Sequence, residues 1–209
     1  MRSLKSLLGW PGERAPQRSR LASDPPPPVI HAIGDVHARL DLLRDIERKI
    51  VERAAGDPEP RVIVTLGDYV DRGPRSAEVL DYLLGPAPEG FSRICLAGNH
   101  EQMMLEALHD SDAMAHWLGI GGIETLRSYG ARDSDLLRIS PHDKLMIDLA
   151  RSYIPDEHIA FLRNMPIAVS AGGYLPVHAA IDPCPPLAPP DDQTLPCARV
   201  QGHQPVDAT

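Results

Sequence analysis

Apolar positions fall into two alternating patterns over the first half of the chain. Residues 29–33, 61–66 and 92–97 are short runs rich in β-branched or apolar side chains, and each stops immediately before a glycine. Such runs predict strands. Between the first two, residues 40–54 set Leu42, Leu43, Ile46, Ile50 and Val51 along one helical face. Between the second and third, residues 76–84 turn Val79, Leu80, Leu83 and Leu84 inward, with Ser76 as the predicted N-cap. Strand, helix, strand, helix, strand predicts an α/β fold with parallel neighbours. A helical stretch over 101–164 follows, with turns expected at 119–122, Gly130 and Pro141. Residues 167–171 and 174–179, separated by Gly172-Gly173, predict a hairpin.

The ends of the chain differ in character. Residues 1–28 scatter Arg and Lys among Ser and Pro and finish in Pro25-Pro26-Pro27-Pro28, which predicts a disordered arm acting as a spacer. Residues 184–209 are proline-dense and lack periodicity, so an irregular tail is expected after a domain spanning 29–183.

Composition narrows the class. A chain of 209 residues suits one domain with a real core. No apolar run approaches the ~20 residues that span a bilayer, which gives no membrane partner. The net charge of -8 argues against a nucleic-acid partner held through phosphate contacts. It leaves phosphate chemistry open, because bound cations reverse the local sign. Cys95, Cys184 and Cys197 fall in no paired spacing and follow no secretory signal, so a reduced, cytoplasmic protein is expected.

The chemistry sits at the strand exits. Gly34-Asp35-Val36-His37 follows the first strand, residues 67–73 (Gly-Asp-Tyr-Val-Asp-Arg-Gly) the second, and Gly98-Asn99-His100-Glu101 the third. In open α/β sheets, ligands gather beyond the carboxyl ends of the strands. Each fragment alone is an ordinary turn, but a match such as Gly-Asp-x-x-Asp-Arg-Gly arises by chance at only about 1 in 10⁶ positions. Carboxylates, imidazoles and an amide without thiolate suit manganese first, with iron or zinc as alternatives. On an extended segment Asp35 and His37 would project to one side and share a cation. Asp68 has lone pairs enough to bridge a second one, with Asn99 as a further ligand. Two divalent metal ions ~3.5–4 Å apart would clamp a phosphoryl group and lower the pKa of a water between them. Arg72 is shaped to hold two phosphate oxygens. His100 is positioned to protonate the leaving oxygen, with Asp71 orienting it.

These three segments resemble the diagnostic motifs of the phosphoprotein phosphatases, within the calcineurin-like metallophosphoesterases. Val177-His178-Ala179-Ala180-Ile181 is similar to a fourth motif of bacterial members, and residues 117–130, with Gly121-Gly122, are similar to their linking segment. The resemblance covers roughly residues 29–183. It implies two β-sheets flanked by helices, with the last strands missing here. It also implies Asp35, His37 and Asp68 on one metal, and Asp68, Asn99 and His178 on the other. Arg72 would take phosphate, and His100 with Asp71 would form the acid pair.

The sequence also departs from that pattern. Two family glycines are alanines, Ala38 and Ala180. Members carry a phosphate-contacting Arg and a metal-binding His well beyond the fourth motif. Gly202-His203-Gln204-Pro205 resembles the latter brought close, whereas residues 195–199, ending in Arg199, resemble the segment bearing the former. A solvated tail histidine is the plainer reading of His203, and a truncated or altered C-terminal part would account for the spacing. His109, His116, His142 and His158 are expected at the surface or at helix caps, with His31 and Cys95 packed. The leading function is hydrolysis of phosphoserine or phosphothreonine in proteins. The alternatives are hydrolysis of dinucleoside polyphosphates or other small phosphoesters, and a catalytically impaired phosphatase-like binder.

Overall fold

The computed structural model describes residues 19–23, 29–56, 59, 61–171 and 176–178. Strands β2 (Val29–Ile33), β3 (Arg61–Thr65) and β4 (Phe91–Cys95) form a parallel sheet in that spatial order. Helix α1 (Leu40–Arg53) crosses from β2 to β3, and α2 (Ser76–Leu84) from β3 to β4. Because the order advances in one direction, both crossovers lie on the same face. There Leu43, Val79, Leu80 and Leu83 join Ile63 in the main core. The other face of β3 carries Val62 and Val64, which pack with Leu96 and Val169 in a second, smaller cluster. Burial on both faces is why β3 reads as a continuous apolar run.

The second sheet pairs β1 (Arg20–Ser23) with β5 (Ala168–Ala171) in parallel. The sequence had assigned Arg20–Ser23 to the arm, since only Leu21 and Ala22 interrupt its polar run. Backbone pairing to β5, which needs no apolar pattern of its own, makes it a strand. Of the expected hairpin, the described residues show one antiparallel bridge from Ala168 to Val177; the expected turn at Gly172-Gly173 lies outside them.

The stretch expected to be helical resolves into α3 (Asn99–Ala107), α4 (Ser111–Trp117), α5 (Ile123–Ser128), α6 (Asp133–Leu136), α7 (Lys144–Tyr153) and α8 (Asp156–Asn164). The turn expected at 119–122 is a π-helical turn, Leu118–Gly122, kinked by Gly121 at φ 126°. Among the described residues no helix is long and apolar enough to cross a membrane.

Three local expectations change. Leu42, Ile46 and Leu84 are exposed, while the buried face of α1 carries Leu40, Leu43 and Glu47. An apolar-only count could not include Glu47, which is buried because Arg93 of β4 meets it at 3.0 Å. Ser76 is the first helical residue, not the cap: Arg75 takes the cap position and the Ser76 hydroxyl serves Asp71 instead. His158, expected at the surface, is buried between the Tyr129 hydroxyl at 2.7 Å and Asp81 at 3.0 Å.

The Glu47–Arg93 pair gives a test. Both side chains are almost fully buried, and Arg93 also donates to the carbonyls of Tyr82 and Gly85. Removing one partner strands a buried charge, so Glu47→Ala should cost about 3–5 kcal/mol in urea denaturation. The double replacement of Glu47 and Arg93 by Met should cost much less. A double variant as unstable as Glu47→Ala would show that the loss is one of packing alone.

Candidate metal centre and active site

Two loops, one helix start and the segment 176–178 build the site. After β2 the chain turns at Asp35–Ala38; after β3 it runs through Gly67–Gly73; after β4 it enters α3 at Asn99. Non-glycine residues with φ in the left-handed region are His37 (41°), Ala38 (57°), Asp68 (54°), Asp71 (70°) and Arg72 (68°). All lie in these two loops. That conformation costs about 1–3 kcal/mol per residue and persists only where the surroundings impose it.

The imposing group is Glu101. Its buried carboxylate accepts from the amides of Gly98 and Asp68 at 2.8 Å, Tyr69 at 2.7 Å and Val70 at 3.3 Å. Burial and the nearby charge of Asp68 push its pKa up, against the pull of those amides. The Asp68 carbonyl in turn accepts from Val36 N at 3.0 Å and His37 N at 2.7 Å, tying the first loop to the second. Gly67, at φ 114°, lets the loop lie against Gly98, where any Cβ would sit 2.4 Å from Gly98 N. Gly34 has open space around its missing side chain, so close approach does not explain it.

The metal-type donors face one another across Asp68. His37 donates Nδ1–H to the Val70 carbonyl at 3.0 Å, which leaves its Nε2 lone pair 3.6 Å from Asp68 Oδ2. His178 does the same on the other side. Its Nδ1 reaches the Leu66 carbonyl at 3.0 Å, and Nε2 stands 3.0 Å from Asn99 Oδ1 and 3.3 Å from Asp68 Oδ1. A main-chain acceptor that fixes the tautomer is the usual support of a metal-binding imidazole. The donor set therefore fits two divalent cations sharing Asp68.

The grouping differs from the expected one. Asp35 lies with Asp68 and His178, while His37 lies with Asp68 and His100. The same-side argument assumed an extended segment, but His37 at φ 41° ends the alternation. Asp35 is largely exposed and its Oδ1 is 4.0 Å from His178 Nδ1. Ala38 sits buried in its loop with its amide bonded to the Tyr69 carbonyl at 2.8 Å, so the left-handed turn forms there without glycine. Ala180, Arg199 and His203 lie outside the described residues.

On the second side of the site, Asp71 is fully buried and heavily bonded. It holds His100 Nδ1 at 2.7 Å, Trp117 Nε1 at 3.0 Å and Thr125 Oγ1 at 2.7 Å. His100 thus keeps Nε2 toward the open site. Burial pulls its pKa down, but the bond to Asp71 and the charges of Asp68 and Asp71 outweigh that and raise it. Arg72 spans the mouth, with one Nη 2.9 Å from His37 Nε2 and the other 3.0 Å from His100 Nε2. The Gly121 carbonyl accepts from Arg72 N at 3.3 Å, and a Cβ on Gly121 would meet that nitrogen at 2.6 Å. Glu101, Trp117, Thr125 and Gly121 escaped assignment in the sequence. Glu101 stood inside a recognised segment, but nothing in spacing shows that its carboxylate gathers three amides from 31 to 33 residues away besides that of Gly98.

The comparisons agree with this geometry. Residues 28–187 match the family model described as calcineurin-like phosphoesterase. The chain belongs to the calcineurin-like phosphoesterase family. Members of that family use a dinuclear site of divalent cations, and candidate ligands for both are present here. The chain is 29% identical over 155 residues to a symmetrical bis(5'-nucleosyl)-tetraphosphatase of Methylococcus capsulatus, covering 74% of this chain and 44% of that one. It is 34% identical over 93 residues to serine/threonine-protein phosphatase 2 of Escherichia coli, covering 44% and 38%. The chain spans less than half the length of either relative. A crystal structure assigned as a diadenosine tetraphosphatase shares the fold at TM-score 0.50 and 18% identity, over 82% of this chain and 58% of that one.

Glu101→Gln tests the loop-holding role. The amide is nearly isosteric, but its NH₂ must face two main-chain N–H groups that the carboxylate satisfied. A loss of about 1–3 kcal/mol is expected by urea denaturation, with metal affinity falling alongside. Unchanged stability would remove Glu101 from this role.

Proposed function

We propose that this chain hydrolyses phosphate esters at a site holding two divalent cations. The observation that carries the reading is the paired presentation of His37 and His178. Each gives Nδ1–H to a main-chain carbonyl at 3.0 Å and turns Nε2 toward opposite oxygens of Asp68. In this reading Asp35, His37, Asp68, Asn99 and His178 hold the cations, with Asp68 shared. When bound, the two cations supply charge neutralisation for the phosphoryl oxygens and acidity for the attacking water. An all-oxygen and nitrogen donor set favours manganese.

The chain's own residues do the rest. Arg72 binds two phosphate oxygens through its paired Nη groups and fixes the ester in the mouth. With Nδ1–H committed to Asp71, His100 turns Nε2 toward the site, where Arg72 donates to it; once phosphate draws Arg72 away, Nε2 is the atom that carries a proton to the leaving oxygen. Asp71 is a positioning residue, itself fixed by Trp117 and Thr125. The unpaired cysteine spacing supports a cytoplasmic setting.

For substrate, we propose phosphoserine or phosphothreonine in proteins. The close match of residues 67–74 to the phosphoprotein phosphatase motif supports it, as does the 34% identity to the Escherichia coli phosphatase. A second reading, hydrolysis of dinucleoside polyphosphates, is favoured by the longer similarity to the tetraphosphatase, 155 residues against 93.

Three experiments test these readings. Turnover of an aryl phosphate should require added Mn²⁺ and vanish with a chelator; turnover indifferent to chelation would overturn the two-cation reading. Asp68→Asn should lose metal and activity together. His100→Ala should keep its metal and slow turnover about 10²–10⁴-fold. A His100→Ala protein devoid of metal would make His100 a ligand, not an acid. For the substrate, kcat/KM on a phosphoserine peptide should exceed that on diadenosine tetraphosphate; a tenfold advantage for the dinucleotide would move the assignment to the second reading.

A further inference from the structure

Positive charge also collects at the opposite end of α3. His109 stands nine residues beyond His100, roughly 14 Å farther along the chain's helical rise. Arg151 of α7 donates Nε to the Leu108 carbonyl at 2.9 Å and brings Nη2 to His109 Nδ1 at 2.8 Å. Arg163 of α8 brings Nη2 to Nε2 of the same ring at 2.9 Å. A guanidinium has only donors, and a neutral imidazole has a single nitrogen lone pair. At least one of these two contacts therefore sets N–H against N–H.

Asp156 lines the cavity beside both guanidinium groups but forms no ion pair with either. Among the described residues no carboxylate oxygen lies within 4.0 Å of either guanidinium. The carbonyl end of α3 supplies only about half a negative charge against two formal positive ones. Both arginines border a cavity of about 190 Å³ walled by Leu108, Ile159 and Asp156. That is below the roughly 300–1,000 Å³ of pockets for drug-sized ligands, so the space suits a small anion and not a nucleotide. Asp156 narrows the choice further. Its carboxylate disfavours a ligand with acceptors alone but accepts from one that also carries a proton.

We propose that this cavity is a phosphoryl-binding site, separate from the metal centre. The anion sits between Arg151 and Arg163 and replaces the donor-to-donor contact at His109 with charge-assisted hydrogen bonds. A protonated phosphoryl oxygen donates to Asp156. Inorganic phosphate and the phosphoryl group of a phosphorylated side chain present the same chemistry.

The full chain, kept in chelator, is titrated with inorganic phosphate at constant ionic strength while the His109 ring is followed by NMR. The expected result is a saturable shift of the His109 signals that persists in Arg72→Gln. In Arg163→Gln the binding should weaken at least about tenfold, the weight of one charge-assisted hydrogen bond. Arg163→Lys, which keeps the charge without the fork, should weaken it less and serves if the Gln variant does not fold. An equal shift with chloride, loss of the shift in Arg72→Gln, or full affinity in both Arg163 variants would overturn the site. A phosphoserine peptide then separates the sources: tighter binding than inorganic phosphate assigns the site to phosphorylated protein, and equal or weaker binding assigns it to free phosphate.

Discussion

The Glu101 carboxylate, buried at the start of α3, accepts hydrogen bonds from amides on both sides of the site. Through Asp68 and Tyr69 it holds the second loop in a left-handed turn, and through the Asp68 carbonyl that turn holds the first loop. The strain in His37, Ala38, Asp68, Asp71 and Arg72 is tolerable because this network leaves those amides no better partner. The functional side chains take their directions from it. Asp68 can face two ways only because its backbone is fixed from behind.

A second buried carboxylate governs the other half of the site. Asp71 brings together His100, Trp117 and Thr125, and its own amide is taken by Ser76 and Thr125. The site thus separates its labour. In the proposed reading, donors around Asp68 would meet cations, whereas groups around Asp71 would hold an imidazole and a guanidinium for an anion. The π-helical turn at Leu118–Gly122 joins the two, since Trp117 precedes it and the Gly121 carbonyl supports Arg72.

Calcineurin-like phosphoesterase membership follows from residues that make few local demands. The matched span of 28–187 includes the motif residues from Asp35 to His178, and the chain covers less than half the length of either curated relative. The basic group at the far end of α3 belongs to a different part of the surface, where α7 and α8 converge. It uses the same helix that carries Asn99 and His100, so one rigid element connects a candidate anion site with the metal centre.

The sequence by itself determined the α/β alternation and the three strand exits, and it named the side chains that the fold gathers around Asp68 and Asp71. It could do so because apolar periodicity is local and because Asp, His and Asn after glycine at three successive strand ends are improbable together. It misjudged Arg20–Ser23, whose strand state depends on a partner almost 150 residues away, and Glu47, whose burial depends on Arg93. Only the tertiary structure showed that donor atoms of Asp35, Asp68 and His178 lie within 4.8 Å of one another, as do those of His37, Asp68 and His100. It alone assigned Glu101, Trp117, Thr125 and Gly121 their supporting parts. Hydrogen bonds between residues 31 to 54 positions apart leave no periodic trace in a sequence, and a left-handed turn at a non-glycine residue is set by its surroundings.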